Sequence, residues 1–153
     1  MTQYAKNTSV SVDRSVGEIQ STLIRYGASK FMYGIDESKA MIAFEMNNRH
    51  LRFKLELPNR LDDEFWYTTS HRKKRGEQQA VQGWEQACRS SWRALLLCVK
   101  AKLESVASKI ETFDEAFLPH IILPSGRTFS EEFVPQIEQV YNSGSVPRLM
   151  SVN

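Results

Sequence analysis

The chain has 153 residues, 41% of them hydrophobic and 25% charged, which fits one globular domain and argues against a disordered chain. The formal net charge is only +2, so the molecule as a whole is not a basic nucleic-acid coat, and any electrostatic binding surface must arise by local clustering. Residues 1–12 are polar and lack the apolar centre of a signal peptide, and the longest apolar run, Ala94 to Val99, is too short to span a bilayer. The expectation is one domain over residues 1–153, retained in the cytoplasm, with loose tails over 1–12 and 145–153.

Ser15-Val16-Gly17-Glu18 has the spacing of a capping box, and Ile19, Leu23 and Tyr26 follow at helical spacing. The pattern predicts a helix from about Ser15 to Tyr26, ended by Gly27. A meander comes next. Phe31, Tyr33 and Ile35 alternate with Met32 and Gly34, a polar turn spans Asp36 to Lys39, and two further strands flank Asn47-Asn48. Closing a hairpin there sets Phe44 opposite Leu51, Ile42 opposite Phe53 and Ala40 opposite Leu55. One face is then wholly apolar, and the other carries Met41, Glu45, His50, Arg52, Lys54 and Glu56. A slip by one residue would destroy that sorting.

Pro58 ends the third strand, and Asn59 to Gly76 reads as a long loop. A helix is predicted from about Gln78 to Lys109, because Val81, Trp84, Cys88, Trp92, Leu95, Leu96, Val99, Leu103, Val106 and Ile110 recur every three or four residues. Gly83 is its mild weak point. At this spacing Trp84 and Trp92 are core residues rather than a stacking platform. Such a helix is about 45 Å long, against about 23 Å for a seven-residue strand, so the excess apolar stripe suggests a homodimer through this helix. Cys88 and Cys98 stand about 15 Å apart along it, beyond disulfide reach, and read as buried thiols.

Thr112-Phe113-Asp114-Glu115 forms a second capping box before Pro119. His120 to Leu123 is a short strand, Pro124 to Arg127 a turn, and Ser130 to Tyr141 a last helix interrupted or entered at Pro135. The expected fold class is α+β: a three-stranded antiparallel meander packed with helices, in the order α-β-β-β-α-α, including one long helix.

No spacing of His50, His71, His120, Cys88 and Cys98 suits a metal site, and neither a glycine-rich phosphate loop nor a nucleophile motif is present. No cofactor is expected. Asp62-Asp63-Glu64 is the one carboxylate cluster. It reads as a solvated turn, with a small metal-dependent nuclease as the sharper alternative, faintly echoed by Glu45 and Lys54 on one sheet face. The basic segment is more informative. Arg72, Lys73, Lys74 and Arg75 are consecutive fixed cations, preceded by Phe65, Trp66 and Tyr67. Cations neutralise phosphates and aromatic faces stack on unpaired bases. Arg89, Arg93 and Lys100 continue a basic stripe along the long helix, although Glu85 to Arg89 is also an ordinary i,i+4 pair. The sheet face with Arg52 and Lys54 is a rival binding surface. DNA or RNA, single-stranded in particular, is the expected partner.

Several segments together resemble a group of small proteins encoded in bacteriophage and prophage genomes. They are Tyr4-Ala5-Lys6, Ser15-x-x-Glu18-Ile19, Arg25-Tyr26-Gly27-Ala28, Phe31-Met32-Tyr33-Gly34, Trp84 to Arg89, Trp92 to Leu95, Lys100 to Glu104, and Phe117-Leu118-x-His120-Ile121-x-Leu123-Pro124-x-Gly126-x-Thr128. The resemblance covers nearly the whole chain. It implies a phage auxiliary protein acting in the bacterial host cytoplasm, on nucleic acid or as an inhibitor of a host enzyme or anti-phage defence system. It assigns no residue a role.

Overall fold

The computed structural model of the protein describes residues 5–71 and 73–145. Helix α1 runs over Val12–Arg25, starting three residues before the expected position. Its cap is Ser11, whose hydroxyl accepts the Arg14 amide at 3.2 Å, while Ser15 sits one turn inside and is fully buried. The capping-box reading of Ser15 fails because Glu18 has a better use: its carboxylate meets Arg93 of the long helix at 2.9 Å. At the other end Gly27 takes φ +105°. The amides of Ala28 and Gly27 then reach the carbonyls of Leu23 and Ile24, the paired bonds of a Schellman closure.

Strands β1 (Lys30–Ile35), β2 (Lys39–Met46) and β3 (Arg49–Glu56) form an antiparallel sheet in that order. Asn47 and Asn48 both adopt left-handed φ, 51° and 58°, as a two-residue hairpin loop demands. Phe44 pairs with Leu51, Ile42 with Phe53 and Ala40 with Leu55, the register expected from alternation alone. Ile42, Phe44, Leu51 and Phe53 are all buried on one face, where Phe44 and Phe53 stack at 6.1 Å between ring centres.

Helix α2 (Asp63–Trp66) is a single turn inside the predicted loop, and α3 (Glu77–Ala107) is the long helix. Ala80, Cys88, Trp92, Leu95, Leu96, Val99 and Leu103 are its buried face. Trp84 is only half-buried, and its indole N–H donates to the Pro58 carbonyl at 2.8 Å. Gly83 lies against α2, where a Cβ would make ordinary contact with the Phe65 ring at 3.4 Å. The helix stops before Ile110, which is 77% exposed. Lys109 takes φ +59° and the Ile110 amide reaches back to Ser105, so a lysine occupies the left-handed closing position usually given to glycine. Cys88 is buried, whereas Cys98 is exposed, off the buried face. Helix α3 packs against α1, α2 and β3, and towards its far end against α4 (Phe113–Phe117). Its apolar stripe is thus covered within one chain as far as Leu103, whereas Ile110 lies beyond the covered part.

Thr112 and Glu115 form the expected capping box of α4. The strand expected over His120 to Leu123 shrinks to two bridges, Ile121 to Leu51 and Ile122 to Thr128, because a 3-10 turn occupies Leu118–His120. The last helix is broken at Pro135 into α5 (Phe129–Phe133), a 3-10 turn and α6 (Ile137–Ser143), which ends on Gly144 at φ +64°. The amino-terminal segment is tied down from residue 5 onward. Ala5 is buried, its carbonyl accepts Ser90 Oγ at 3.0 Å, and Gln86 Nε2 donates to the carbonyls of Lys6 and Thr8 at 3.1 and 2.8 Å. Of the tail expected over 145–153, all but Ser145 lies outside the described residues.

Candidate nucleic-acid interface

The segment after β3 is long but ordered by its own polar groups. Asp62 Oδ2 accepts the Asn59 amide at 3.0 Å, Asn59 Oδ1 accepts the Leu61 amide at 2.9 Å, and Trp66 Nε1 donates to the Arg60 carbonyl at 3.0 Å. Asp62, Asp63 and Glu64 therefore open α2, where carboxylates suit the positive end of a helix. Phe65 is buried beside Gly83 and anchors the turn to α3.

From Trp66 to Arg75 the chain folds back on itself. The Arg75 amide donates to Trp66 O at 2.7 Å, the Thr68 amide to Lys73 O at 3.0 Å, and Tyr67 bridges Lys74. His71 makes the reversal at φ +51°, its amide bonded to Thr68 O at 2.7 Å. The tip brings the Tyr67 and His71 rings to 6.0 Å, and Lys74 Nζ lies 5.8 Å from the centre of the Trp66 ring. Lys73 and Lys74 are exposed and have no ion-pair partner among the described residues. Arg75 behaves differently. Its Nη1 turns inward to the carbonyls of Glu64 and Phe65 at 2.9 and 3.4 Å, clamping the hairpin to α2. Arg72 lies outside the described residues.

The remaining predicted cations are placed elsewhere: Lys100 is exposed on α3, and the other four have polar partners in the fold. Arg93 is ion-paired with Glu18. Arg89 Nη2 donates to Gln86 Oε1 at 2.6 Å rather than pairing with Glu85. Arg52 Nη2 meets Glu131 at 2.8 Å and the Gly126 carbonyl at 3.0 Å, and Lys54 contacts the same Glu131 carboxylate. The structure thus unites Trp66, Tyr67, Lys73, Lys74 and Arg75, but not Arg52, Lys54, Arg89 or Arg93, with that group. Two contributors went unread in the sequence. His71, which enters the sequence reading only as an unsuitable metal ligand, is the reversal point. Glu131 had a signal, since Thr128-Phe129-Ser130-Glu131 is itself a capping box.

Among the described residues the acids of the nuclease alternative are not assembled into a site. Glu45 is bound by Lys30 at 2.8 Å and by His50 at 3.1 Å, and the Lys30 bond holds its carboxyl below the ordinary carboxylate range. Lys54 is turned to Glu131 instead. Among the described residues no group of three or more His, Cys, Asp or Glu could hold a metal ion. Nor is any helix among them long and apolar enough to cross a membrane.

Fold and site together define an α+β domain carrying an ordered basic-aromatic hairpin beside its long helix. Compared with protein-family models, curated proteins and solved structures, the chain matches none.

Proposed function

We propose that the protein binds single-stranded nucleic acid through the 66–75 hairpin, without catalysis, as a phage auxiliary factor in replication, recombination or genome protection. One observation carries this reading: Lys73 and Lys74 project from a hairpin pinned by its own backbone, beside the rings of Trp66, Tyr67 and His71. Free cations bind phosphates and release counterions, and the neighbouring rings offer faces to unpaired bases. Titration of a fluorescent oligodeoxythymidylate and a matched duplex, at low and moderate salt, tests it. Lys73→Ala with Lys74→Ala is expected to weaken binding and to flatten the log–log salt dependence by up to about 0.7 per lost contact on a single strand. Trp66→Ala should weaken single-strand binding more than duplex binding. Absence of any binding at low salt ends this reading.

The second reading is a protein-binding inhibitor of a host enzyme or anti-phage defence system. It is favoured by edge strand β1, where Met32, Tyr33 and Ile35 are 63%, 52% and 54% exposed. Such an apolar edge suits a protein partner, and capture through it would be insensitive to salt.

A further inference from the structure

Arg52 and Lys54 stand two residues apart on β3, so both project from the outer face of the sheet. Their β2 neighbours on that face are Ala43 and Met41, and Met32 and Gly34 of β1 lie beyond. Two shallow clefts open here. One of about 390 Å³ is lined by Gly34, Met41 and Lys54 with Asp36 and Glu56 at its rim, and one of about 330 Å³ by Met32, Ala43 and His50 with Glu45, whose carboxylate is held by Lys30. An apolar floor flanked by cations is the surface that an unpaired nucleotide strand uses: bases on the floor, phosphates at the edge.

In this structure one carboxylate closes that edge. Glu131 accepts Arg52 Nη2 at 2.8 Å and contacts Lys54, and the same side chain accepts the Thr128 amide at 2.9 Å, so it both caps α5 and fastens it to the sheet. Apolar packing adds to this at the start of α5 only, where Phe129 lies partly buried against the core. Neither α5, the 3-10 turn after it nor α6 contains a fully buried side chain, and Tyr141 is 84% exposed. A side chain held by ion pairs gives way to a competing polyanion, because a phosphate offers an arginine fork the same paired oxygens as a carboxylate.

We propose that Glu131 stands in for a phosphate, and that the outer sheet face is a second single-strand contact surface, whose Arg52 and Lys54 are occupied by Glu131 until nucleic acid displaces it. This rests on the single-strand reading above, and the test separates the two. Glu131→Gln removes the charge yet keeps a residue that serves in a capping box, so α5 is retained. Affinity for the fluorescent oligodeoxythymidylate should rise about tenfold at low salt, with a salt slope steeper by roughly 1.4 for two added phosphate contacts. The gain should vanish when Arg52→Gln and Lys54→Gln are added. In the wild-type protein, hydrogen exchange of the 129–143 amides should quicken on saturation with the oligonucleotide.

Glu131→Gln binding no tighter than wild type with an unchanged melting curve overturns the proposal, as does a gain that persists without Arg52 and Lys54. Should Glu131→Gln disturb folding, unaltered exchange at 129–143 in saturated wild-type protein overturns it equally. Binding by Glu131→Gln alone, with none by wild type, would support the sheet face and refute the hairpin. No binding by either refutes both, while loss through Lys73→Ala and Lys74→Ala concerns the hairpin only.

Discussion

The body of the molecule and the 66–75 hairpin use the same cations in opposite ways. In the body, Arg52, Lys54 and Arg93 each face a carboxylate, and Arg89 is bonded to an amide oxygen. In the hairpin, Arg75 is turned inward to two carbonyls, while Lys73 and Lys74 stay outside with no ion pair among the described residues. The difference teaches that a run of basic residues is not a unit. The flat guanidinium with several donors serves as a clamp, and the compact ammonium on a flexible stem remains in solvent. It also teaches where each region gets its order: apolar burial in the body, backbone hydrogen bonds in the hairpin.

The largest effect should come from the body. Leu96 is fully buried between helix and sheet, so Leu96→Ala is expected to cost about 2–5 kcal/mol in denaturant melts. A loss under about half a kilocalorie would mean that the core does not depend on α3 as its burial implies.

Acid should loosen the body in two windows. His120 stacks on Phe53 with ring centres 3.7 Å apart; burial first, and then the charge of Lys102, lowers its pKa to about 4. The unfolded chain takes up that proton near 6.5, so this contribution is whole above pH 6.5 and is lost as pH falls towards 4. Glu131 is lowered to about 2, chiefly by its bond with Lys54 and then by the Thr128 amide, so its contribution is whole above 4.5 and is lost as pH falls towards 2. Melting temperature against pH should therefore decline in the upper window for wild type and stay flat there for His120→Leu. A decline unchanged in His120→Leu would remove His120 as the cause.

Two serines of α1 sharpen the contrast between a cap and a buried group. Ser11→Ala should destabilise by about 1 kcal/mol, because the Arg14 amide loses its acceptor. Ser15→Ala should be neutral or stabilising, since the Ser15 hydroxyl is buried with no hydrogen-bond partner. Equal losses at both positions would show that Ser15 has a partner in solution.

The smallest effects lie in the hairpin and divide it. Arg75→Ala should cost about 1 kcal/mol and speed exchange of the hairpin amides, because charged bonds to two carbonyls are lost. Lys73→Ala and Lys74→Ala should change stability by less than about 0.5 kcal/mol, as exposed substitutions do. Identical stability losses for all three would erase the distinction between clamp and free cation.

Much of the fold was legible because its patterns are local. Alternation over Ala40 to Leu57 admits one register that leaves a face wholly apolar, and Asn47-Asn48 accept the left-handed turn that this register needs. The three-four repeat from Val81 to Val106 likewise placed α3. The ends were harder to read. Ser11 displaced Ser15 as the cap because Glu18 is drawn to a helix seventy-five residues away in sequence, and Lys109 closed α3 where no glycine announced it. The candidate site was half legible: the aromatic and basic residue types stood together, but not which of them would remain free.

Strand register, the long helix and the clustering of Trp66 to Arg75 are thus determined by sequence alone, since periodicity and proximity along the chain suffice to sort them. The fate of each charge was decided only by the tertiary structure. Arg89 finds Gln86 one turn away, but the partners of the others come from separate elements: α1, α5 and α2 supply Glu18, Glu131 and the Glu64 carbonyl that engage Arg93, Arg52 and Arg75. Composition carries no record of such pairings, because an ion pair needs only opposite charges brought within reach, and reach is a property of the folded chain.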